Sequence, residues 1–231
     1  MIKIKICGIT NEKEIEYLNI LKPEYIGFVF AKSKRQVNGK IAKELSNNLD
    51  KEIKTVGVFK DNSIDEILEV MKEVQLDIIQ LHGKEDENYI NYLNENLKKS
   101  TKIWKALSIK DIENVKNYTS NNYSETNRLI DNFLIDGDNP GSGETYSLEN
   151  ISKYFDEYYK LINLENSNTN ENNFFLAGGI TPENVIERII KANPIGIDVS
   201  SGVEIIDEKG NRTKSFEKMK SLIEEVRTIN N

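Results

Sequence analysis

The sequence predicts an α/β protein that folds as a single (β/α)8 TIM barrel with parallel strands. Eight short β-rich runs recur along the chain, and stretches with helical spacing separate them. The length of 231 residues is one at which such barrels commonly form one domain. Because a count of strands does not show closure, a doubly wound open sheet stays the structural alternative.

The predicted strands are short and rich in β-branched and aromatic residues. They cover residues 2–7, 25–30, 54–59, 77–82, 102–107, 132–136, 174–179 and 195–200. Between them, helical spacing of apolar residues is clearest at Ile64, Ile67, Leu68 and Met71 and at Val185, Ile186, Ile189 and Ile190. We therefore expect a helix after each strand, with right-handed crossovers between parallel strands.

Two polar stretches, near 117–128 and 163–173, look like insertions. Both are poor in apolar residues and rich in Asn and Ser, which is typical of surface loops. The strands on either side continue the same alternating rhythm, so neither stretch marks a domain boundary. We interpret residues 1–231 as one barrel domain that carries both insertions.

The charge balance restricts the classes of partner. A net charge of -7 argues against nucleic acid and against an anionic membrane, although a local basic pocket could still bind a small anion. The single cysteine permits no intramolecular disulfide, and no amino-terminal run resembles a signal peptide or a membrane span. We expect a cytoplasmic protein, and a monomer is favoured over an oligomer.

Residues with chemical potential stand at the ends of predicted strands. Cys7 ends the first run, His82 the fourth, Asp136 the sixth and Ser200 the eighth. Each by itself has a structural explanation: a buried thiol, a hydrogen-bonded imidazole, a turn carboxylate. In a barrel, however, the carboxyl ends of the strands share one rim, where reacting groups gather. Their common location favours a site.

Two loops of small residues point to phosphate. In "LAGGITPEN", Gly178 and Gly179 end a strand, and Thr181 is the expected helix cap before Pro182 at the first helical position. "DVSSGVE" at 198–204 follows the next strand with a second such loop. The loops after strands seven and eight are where barrels commonly bind phosphate. Two ordinary tight turns are the alternative.

Motifs for metal and nucleotide binding are incomplete. "LIDGDNPGSGETYS" at 134–147 suggests a calcium loop, but Pro140 and Ser147 occupy two of its ligand positions, so the required bidentate carboxylate is missing. The sequence also has no Walker lysine motif and no Gly-x-Gly-x-x-Gly after the first strand. We expect no metal.

Taken in order, "KICGIT", "GFVF" with "SKR", "VGVF", "QLHG", "FLIDG" with "PGSG", "LAGGITPENV" and "DVSSGVE" resemble the phosphoribosylanthranilate isomerase family over nearly the whole chain. The resemblance implies a (β/α)8 barrel and an Amadori rearrangement of a phosphosugar substrate in tryptophan biosynthesis. It implies that Cys7 is the general base and Asp136 the general acid. The other implied site residues are Arg35 and His82 near the substrate and Gly178, Gly179, Ser201 and Gly202 around its phosphate.

Within this resemblance, the sequence departs from the family after strand six. Pro140 and Ser142 replace a glycine and the threonine of the usual Gly-Gly-Thr-Gly segment, and Tyr146-Ser147-Leu148 stands where Phe-Asp-Trp is frequent. Two further interpretations stay open. One is another phosphosugar barrel such as the histidine-pathway Amadori isomerase, which has an aspartate in place of Cys7. The other is a phosphate-binding barrel that has lost catalysis.

The implied chemistry assigns each group a proton. An acid at Asp136 would protonate the leaving ring oxygen, and a base at Cys7 would remove the proton from the sugar C2. No cofactor is required, because the substrate nitrogen is itself the electron sink. A thiol has a pKa of about 8.5, so its thiolate needs help near neutral pH. Lys5 shares the face of Cys7, and we expect it to point into the barrel with Asp198 as its charge partner.

Overall fold

Eight parallel strands close into a barrel in a computed structural model of the chain, which describes residues 1–118, 130–136, 148, 151, 174–208 and 210–229. The strands are β1 (Lys3–Cys7), β2 (Tyr25–Val29), β3 (Lys54–Phe59), β4 (Ile78–Leu81), β5 (Lys102–Ser108), β6 (Asn132–Asp136), β7 (Phe174–Ala177) and β8 (Gly196–Val199). Closure is made by β1, which pairs with both β2 and β8. The predicted barrel is confirmed, and the open sheet is wrong.

Helices follow most of the strands. They are α1 (Glu12–Leu21), α2 (Gly39–Asn47), α3 (Ile64–Glu73), α4 (Glu87–Asn96), α5 (Val185–Ala192) and α6 (Phe216–Ile229). In four of them, the residue before the helix caps it with a side chain that accepts from the backbone N–H three residues on, namely Asn11, Asn38, Ser63 and Asp86. Among the described residues, no helix is long and apolar enough to cross a membrane.

Three features differ from the sequence-based expectations. A 3₁₀ helix, Ile109–Tyr118, follows β5 in place of an α-helix, and its last two residues fall within the first predicted insertion. A hairpin of β9 (Glu204–Ile206) and β10 (Arg212–Lys214), which was not predicted, lies between β8 and α6. The rest of the first insertion and the whole of the second lie outside the described residues, so the single domain over residues 1–231 stays a prediction.

The predicted cap at Thr181 is also wrong, because α5 begins only at Val185. Asn184 bends its side chain back, so that its Oδ1 accepts from the Thr181 N–H at 2.9 Å and its Nδ2 donates to the Gly179 carbonyl at 2.9 Å. An asparagine that bonds nearby backbone groups in this way competes with helical hydrogen bonding. The segment from Thr181 to Asn184 is therefore a turn that precedes the helix.

A cluster of buried apolar side chains fills the barrel interior toward the amino ends of the strands. Rings of Tyr25, Trp104 and Phe175 pack together there with centroid separations of 5.1, 5.6 and 4.5 Å. They belong to a separate buried cluster from the one between the strands and the helices. We call these three rings the aromatic floor. They fill the barrel interior beneath the cavity, because inward-facing side chains fill a barrel of this size.

The packing of the apolar layer between the strands and the helices can be tested at two adjacent isoleucines of α5. Ile189 is 4% exposed, whereas Ile190, which the helical spacing also marked as apolar, is 71% exposed. We expect Ile189→Ala to lower the free energy of unfolding by about 2–5 kcal/mol, since it leaves a cavity, and Ile190→Ala to change it by less than about 0.5 kcal/mol. Urea unfolding followed by circular dichroism measures both. Equal losses would contradict this packing.

Candidate active site

A cavity of about 510 Å³ opens at the carboxyl ends of the strands. Its walls include every residue that the sequence analysis marked as a site candidate, namely Cys7, Arg35, His82, Asp136, Gly178, Gly179, Ser201 and Gly202. They come from β1, β6 and the segments after β2, β4, β7 and β8. Residues far apart in sequence meet here because parallel strands of one barrel all end at the same rim.

Cys7 lies in the inner wall beside a buried ion pair. Its side chain points inward at the end of β1 and the residue is 8% exposed. The Nζ of the fully buried Lys5 lies 2.9 Å from Asp198 Oδ1, on the strand that pairs with β1. The predicted inward orientation of Lys5 and its pairing with Asp198 are confirmed.

The charges around Cys7 act in opposite directions on its thiol. Burial raises the pKa of Cys7, Lys5 and Lys214 lower it, Asp198 raises it, and the balance is a raised pKa. Burial by itself would lower the pKa of Lys5, but Asp198 and Cys7 outweigh this effect, so Lys5 keeps its proton. Lys5 therefore favours the thiolate, as expected, but does not fully compensate for burial.

A glycine in the neighbouring strand makes room for the sulfur. Gly27 of β2 stands opposite Cys7 in the strand register. A Cβ atom at position 27 would lie 2.7 Å from Cys7 Sγ, which is too close for any side chain. The signal that could have revealed this contact is a glycine in the middle of a strand, which often marks close approach by another group.

Asp136 and His82 are neighbours in the cavity wall. His82 Nε2 lies 3.5 Å from Asp136 Oδ2, and Gln80 Nε2 lies 3.1 Å from His82 Nδ1. If the Gln80 amide donates to Nδ1, the hydrogen of a neutral imidazole is on Nε2 and faces the carboxyl group. Gln80 was not among the residues expected at the site, although strand alternation places it on the same inward face as His82.

In the loop after β7, the carbonyl groups of Gly178 and Gly179 accept hydrogen bonds from side chains at and near the start of α5. Gly178 and Gly179 adopt φ angles of 84° and 59°, and the carbonyl of Gly178 accepts from Arg188 Nη1 at 2.8 Å. Because a trans peptide places C=O and the following N–H on opposite sides, the Gly179 N–H points away from the helix that carries Arg188. An N–H group so directed is available to an anion.

The loops after β7 and β8 are in direct contact. A Cβ atom at Gly202 would lie 1.8 Å from the Ile180 carbonyl oxygen, so the backbones touch where both loops line the cavity. Lys32, Lys60 and Arg35 add positive charge around the same cavity, in a chain whose net charge is -7. Glycine-bearing loops and local cations together form a suitable seat for a phosphate group.

Arg35 is held by a carboxylate that the sequence analysis did not single out. Its Nε and Nη2 donate to Glu204 Oε1 and Oε2 at 2.5 and 2.7 Å. Burial alone would raise the pKa of Glu204, but Arg35 and Lys214 outweigh it and lower the pKa to about 2. Glu204 is therefore ionised at neutral pH and forms a bidentate pair with the guanidinium group.

A closed (β/α)8 barrel with a thiol, a carboxyl group and two glycine-bearing loops around one cavity defines a barrel enzyme that acts on a small phosphorylated molecule. The sequence model of the family described as N-(5'phosphoribosyl)anthranilate (PRA) isomerase matches residues 4–225. The chain belongs to this family, as its motifs predicted.

Individual relatives agree with this placement. The chain is 64% identical over 230 residues to the N-(5'-phosphoribosyl)anthranilate isomerase of Clostridium beijerinckii, with 100% of this chain and 99% of the relative covered. A phosphoribosyl anthranilate isomerase solved with reduced 1-(o-carboxyphenylamino)-1-deoxyribulose 5-phosphate is 28% identical, with a TM-score of 0.76 over 99% of this chain and 100% of that one. Monomers generated from the dimeric Thermotoga maritima isomerase are 30% identical, with a TM-score of 0.75 and the same coverage.

The role of Lys5 is open to a direct titration. Lys5→Met removes a cation beside Cys7 and leaves Asp198, so the thiolate becomes less stable and the pKa of the thiol rises further. Since one pKa unit is a tenfold change in thiolate, we expect alkylation by iodoacetamide at a fixed pH to slow by about tenfold or more. Alkylation rates measured from pH 7 to 10.5 give the titration curve.

Two further variants complete this titration. The exposed Lys3, two residues earlier on the same face of β1, provides the matched control Lys3→Met, which should titrate like the wild type. Lys5→Met combined with Asp198→Asn removes both charges, so its shift should be smaller than that of Lys5→Met alone. A thiol titration that is unchanged in Lys5→Met would show that Lys5 does not affect the pKa of Cys7.

Proposed function

We propose that Cys7 and Asp136 are the general base and general acid of this isomerase. The chain is an N-(5'-phosphoribosyl)anthranilate isomerase of tryptophan biosynthesis by its family and its relatives. Such an enzyme converts N-(5-phosphoribosyl)anthranilate into 1-(2-carboxyphenylamino)-1-deoxyribulose 5-phosphate by an Amadori rearrangement. The observation that carries the two roles is that a thiol and a carboxyl group line one cavity beside a suitable phosphate seat.

Asp136 acts in the opening of the ribose ring. The nitrogen lone pair of the substrate forms a C=N bond to C1 while the bond from C1 to the ring oxygen breaks, so that oxygen needs a proton. Asp136 gives this proton from the end of β6, where its side chain is partly exposed to the cavity. His82, 3.5 Å away, orients the carboxyl group.

Cys7 acts in the second step. The protonated Schiff base acidifies the proton on C2, and the Cys7 thiolate removes it to give an enolamine. The enolamine becomes the ketone when its C1=C2 double bond takes a proton at C1 and the C2 hydroxyl gives up its proton to form C=O. No cofactor is needed, because the substrate nitrogen accepts the electron pair when C2 is deprotonated. That no metal or cofactor takes part stays a prediction. Lys5 supports the step because its charge favours the thiolate.

The two ends of the substrate bind at different parts of the rim. The phosphate group binds at Gly178, Gly179, Ser201 and Gly202, where two loops meet. The aromatic carboxylate binds near Arg35, whose guanidinium group lines the cavity and matches a carboxylate in geometry. The phosphosugar analogue in a solved relative supports a small-molecule ligand of this kind.

The proposal also covers location, oligomeric state and turnover. A cytoplasmic location is part of the proposal, as the composition and charge of the sequence led us to expect. A monomer is still our expectation, although one solved relative is described as dimeric. The altered residues Pro140 and Ser142 lie outside the described residues. An activity assay therefore distinguishes an active isomerase from a barrel that binds the substrate without turnover.

The acid and base roles predict a specific pattern of loss. Cys7→Ser and Asp136→Asn should each lower kcat by at least about 100-fold, because each removes a group that transfers a proton in the reaction. Freshly prepared N-(5-phosphoribosyl)anthranilate is incubated with each variant, and the loss of anthranilate-type fluorescence gives the rate. KM should change far less than kcat.

Asp131→Asn is the matched control, since Asp131 lies just before the amino end of β6, at the opposite end from Asp136. Its carboxylate accepts from the Ile103 N–H at 2.9 Å, and an asparagine oxygen can accept the same bond. This variant should retain wild-type turnover. If Cys7→Ser and Asp136→Asn also retain it, the assigned roles are wrong, and substrate binding without turnover by the wild type would make the chain a binding protein.

A further inference from the structure

One buried carboxylate connects the substrate cavity to the hairpin behind it. Glu204, the first residue of β9, has a side chain that is 3% exposed. Three cations surround it: Arg35 in a bidentate pair, Lys214 with Nζ at 2.7 Å from Oε1, and Arg212 with Nη1 at 3.5 Å from Oε2. The hairpin does not need this cluster of charges in order to form, because backbone groups make the ladder from Glu204 to Lys214.

The contact with Arg35 uses only one edge of the guanidinium group. Glu204 accepts from Nε and Nη2, while Nη1 makes no hydrogen bond among the described residues. The side chain of Arg35 is 25% exposed and lines the cavity. A guanidinium group has five N–H donors in a planar fork, so an arginine held along one edge still offers donors along the other.

The stem of Arg35 is positioned just as closely. A Cβ atom at Gly8 would lie 2.5 Å from Arg35 Cδ, so the arginine lies directly against the backbone that follows Cys7. Packing on Gly8 from one side and the Glu204 pair at the head together fix the arginine in one conformation. Without the charge of Glu204, a long side chain of this kind regains rotamer freedom.

Glu204 also reaches the backbone of Cys7 by a second route. Lys214 Nζ donates to Glu204 Oε1, to the Ser200 carbonyl at 3.1 Å and to Ser200 Oγ at 3.3 Å. Ser200 Oγ in turn donates to the Cys7 carbonyl at 3.0 Å. The carboxylate thus lies between the loop after β2 and the loop after β8, and it contacts neither the thiol nor the reacting atoms.

We infer that Glu204 is a positioning residue for substrate binding: it holds Arg35 by one edge, so that the other edge faces the aromatic carboxylate of the substrate. This inference rests on the proposed function, because it takes the substrate to be a phosphoribosylated anthranilate. Glu204 acts through Arg35, and its main effect is on the affinity for the carboxylate and not on proton transfer.

The test is Glu204→Gln, which keeps the shape and removes the charge. KM for N-(5-phosphoribosyl)anthranilate should rise by about tenfold, while kcat stays within about threefold, because binding is impaired and not the chemical step. With N-(5-phosphoribosyl)aniline, which lacks the carboxylate, the variant and the wild type should have the same KM. A structural role alone would not distinguish these two substrates.

Coupling to Arg35 provides a second readout. Arg35→Met should raise KM at least as much as Glu204→Gln, and adding Glu204→Gln to Arg35→Met should change KM by less than about twofold, since the residue through which Glu204 acts is gone. Glu208→Gln, an exposed glutamate in the same hairpin, is the matched control and should have wild-type kinetics.

Three results would overturn the inference: an unchanged KM in Glu204→Gln, an equal rise of KM for the aniline substrate, or additive effects of Glu204→Gln and Arg35→Met. If Glu204→Gln does not fold, as judged by circular dichroism, Glu204→Asp retains the charge on a shorter stem and should show the same selective rise of KM. A wild type without turnover of either substrate would instead contradict the proposed function.

Discussion

The pairing of β1 with β8 is the contact on which the rest of the molecule depends. It closes the sheet and brings the first strand of the chain beside the last strand of the barrel. Its register sets Lys5 directly opposite Asp198, so the ion pair below the thiol follows from the backbone ladder. The same pairing places Cys7 next to Ser200, whose hydroxyl bonds to its carbonyl. Cys7, Asp136 and the loops after β7 and β8 line one cavity at the rim of the closed sheet.

The charges near Cys7 and Arg35 are buried at some expense to stability. Lys5 is fully buried and the Asp198 side chain is 10% exposed, and an ion pair so largely removed from water loses solvation that its mutual attraction often does not restore. The pair of Lys5 and Asp198 therefore contributes little folding energy, whereas the charge of Lys5 lowers the pKa of Cys7. Stability comes from apolar packing instead, in the aromatic floor inside the barrel and in the layer between strands and helices. Glu204, at the rim, is a second buried charge, and it pairs with Arg35 and with Lys214.

Local sequence patterns predicted the strands well and the long-range contacts poorly. All eight strands were expected, since short β-rich runs are a local property, and the seventh ends at Ala177 because Gly178 and Gly179 turn the chain with positive φ. Lys5 and Cys7 could be placed on one face by alternation alone. Glu204 could not be found in this way, because its partner Arg35 is 169 residues distant in sequence. The turn before α5 was missed because Asn184 bonds locally where Thr181 was expected to cap.

The central claim is that Cys7 and Asp136 flank a sugar whose phosphate sits at the loops after β7 and β8. A crystal structure of this protein with a reduced form of the product bound measures that geometry most directly. We expect the phosphate to accept from backbone N–H groups at Gly179 and Gly202, Cys7 Sγ to lie within about 4 Å of C2, and Asp136 to contact the oxygen released from the ring. A ligand bound with its sugar remote from both side chains, or with its phosphate at another part of the rim, would contradict the account.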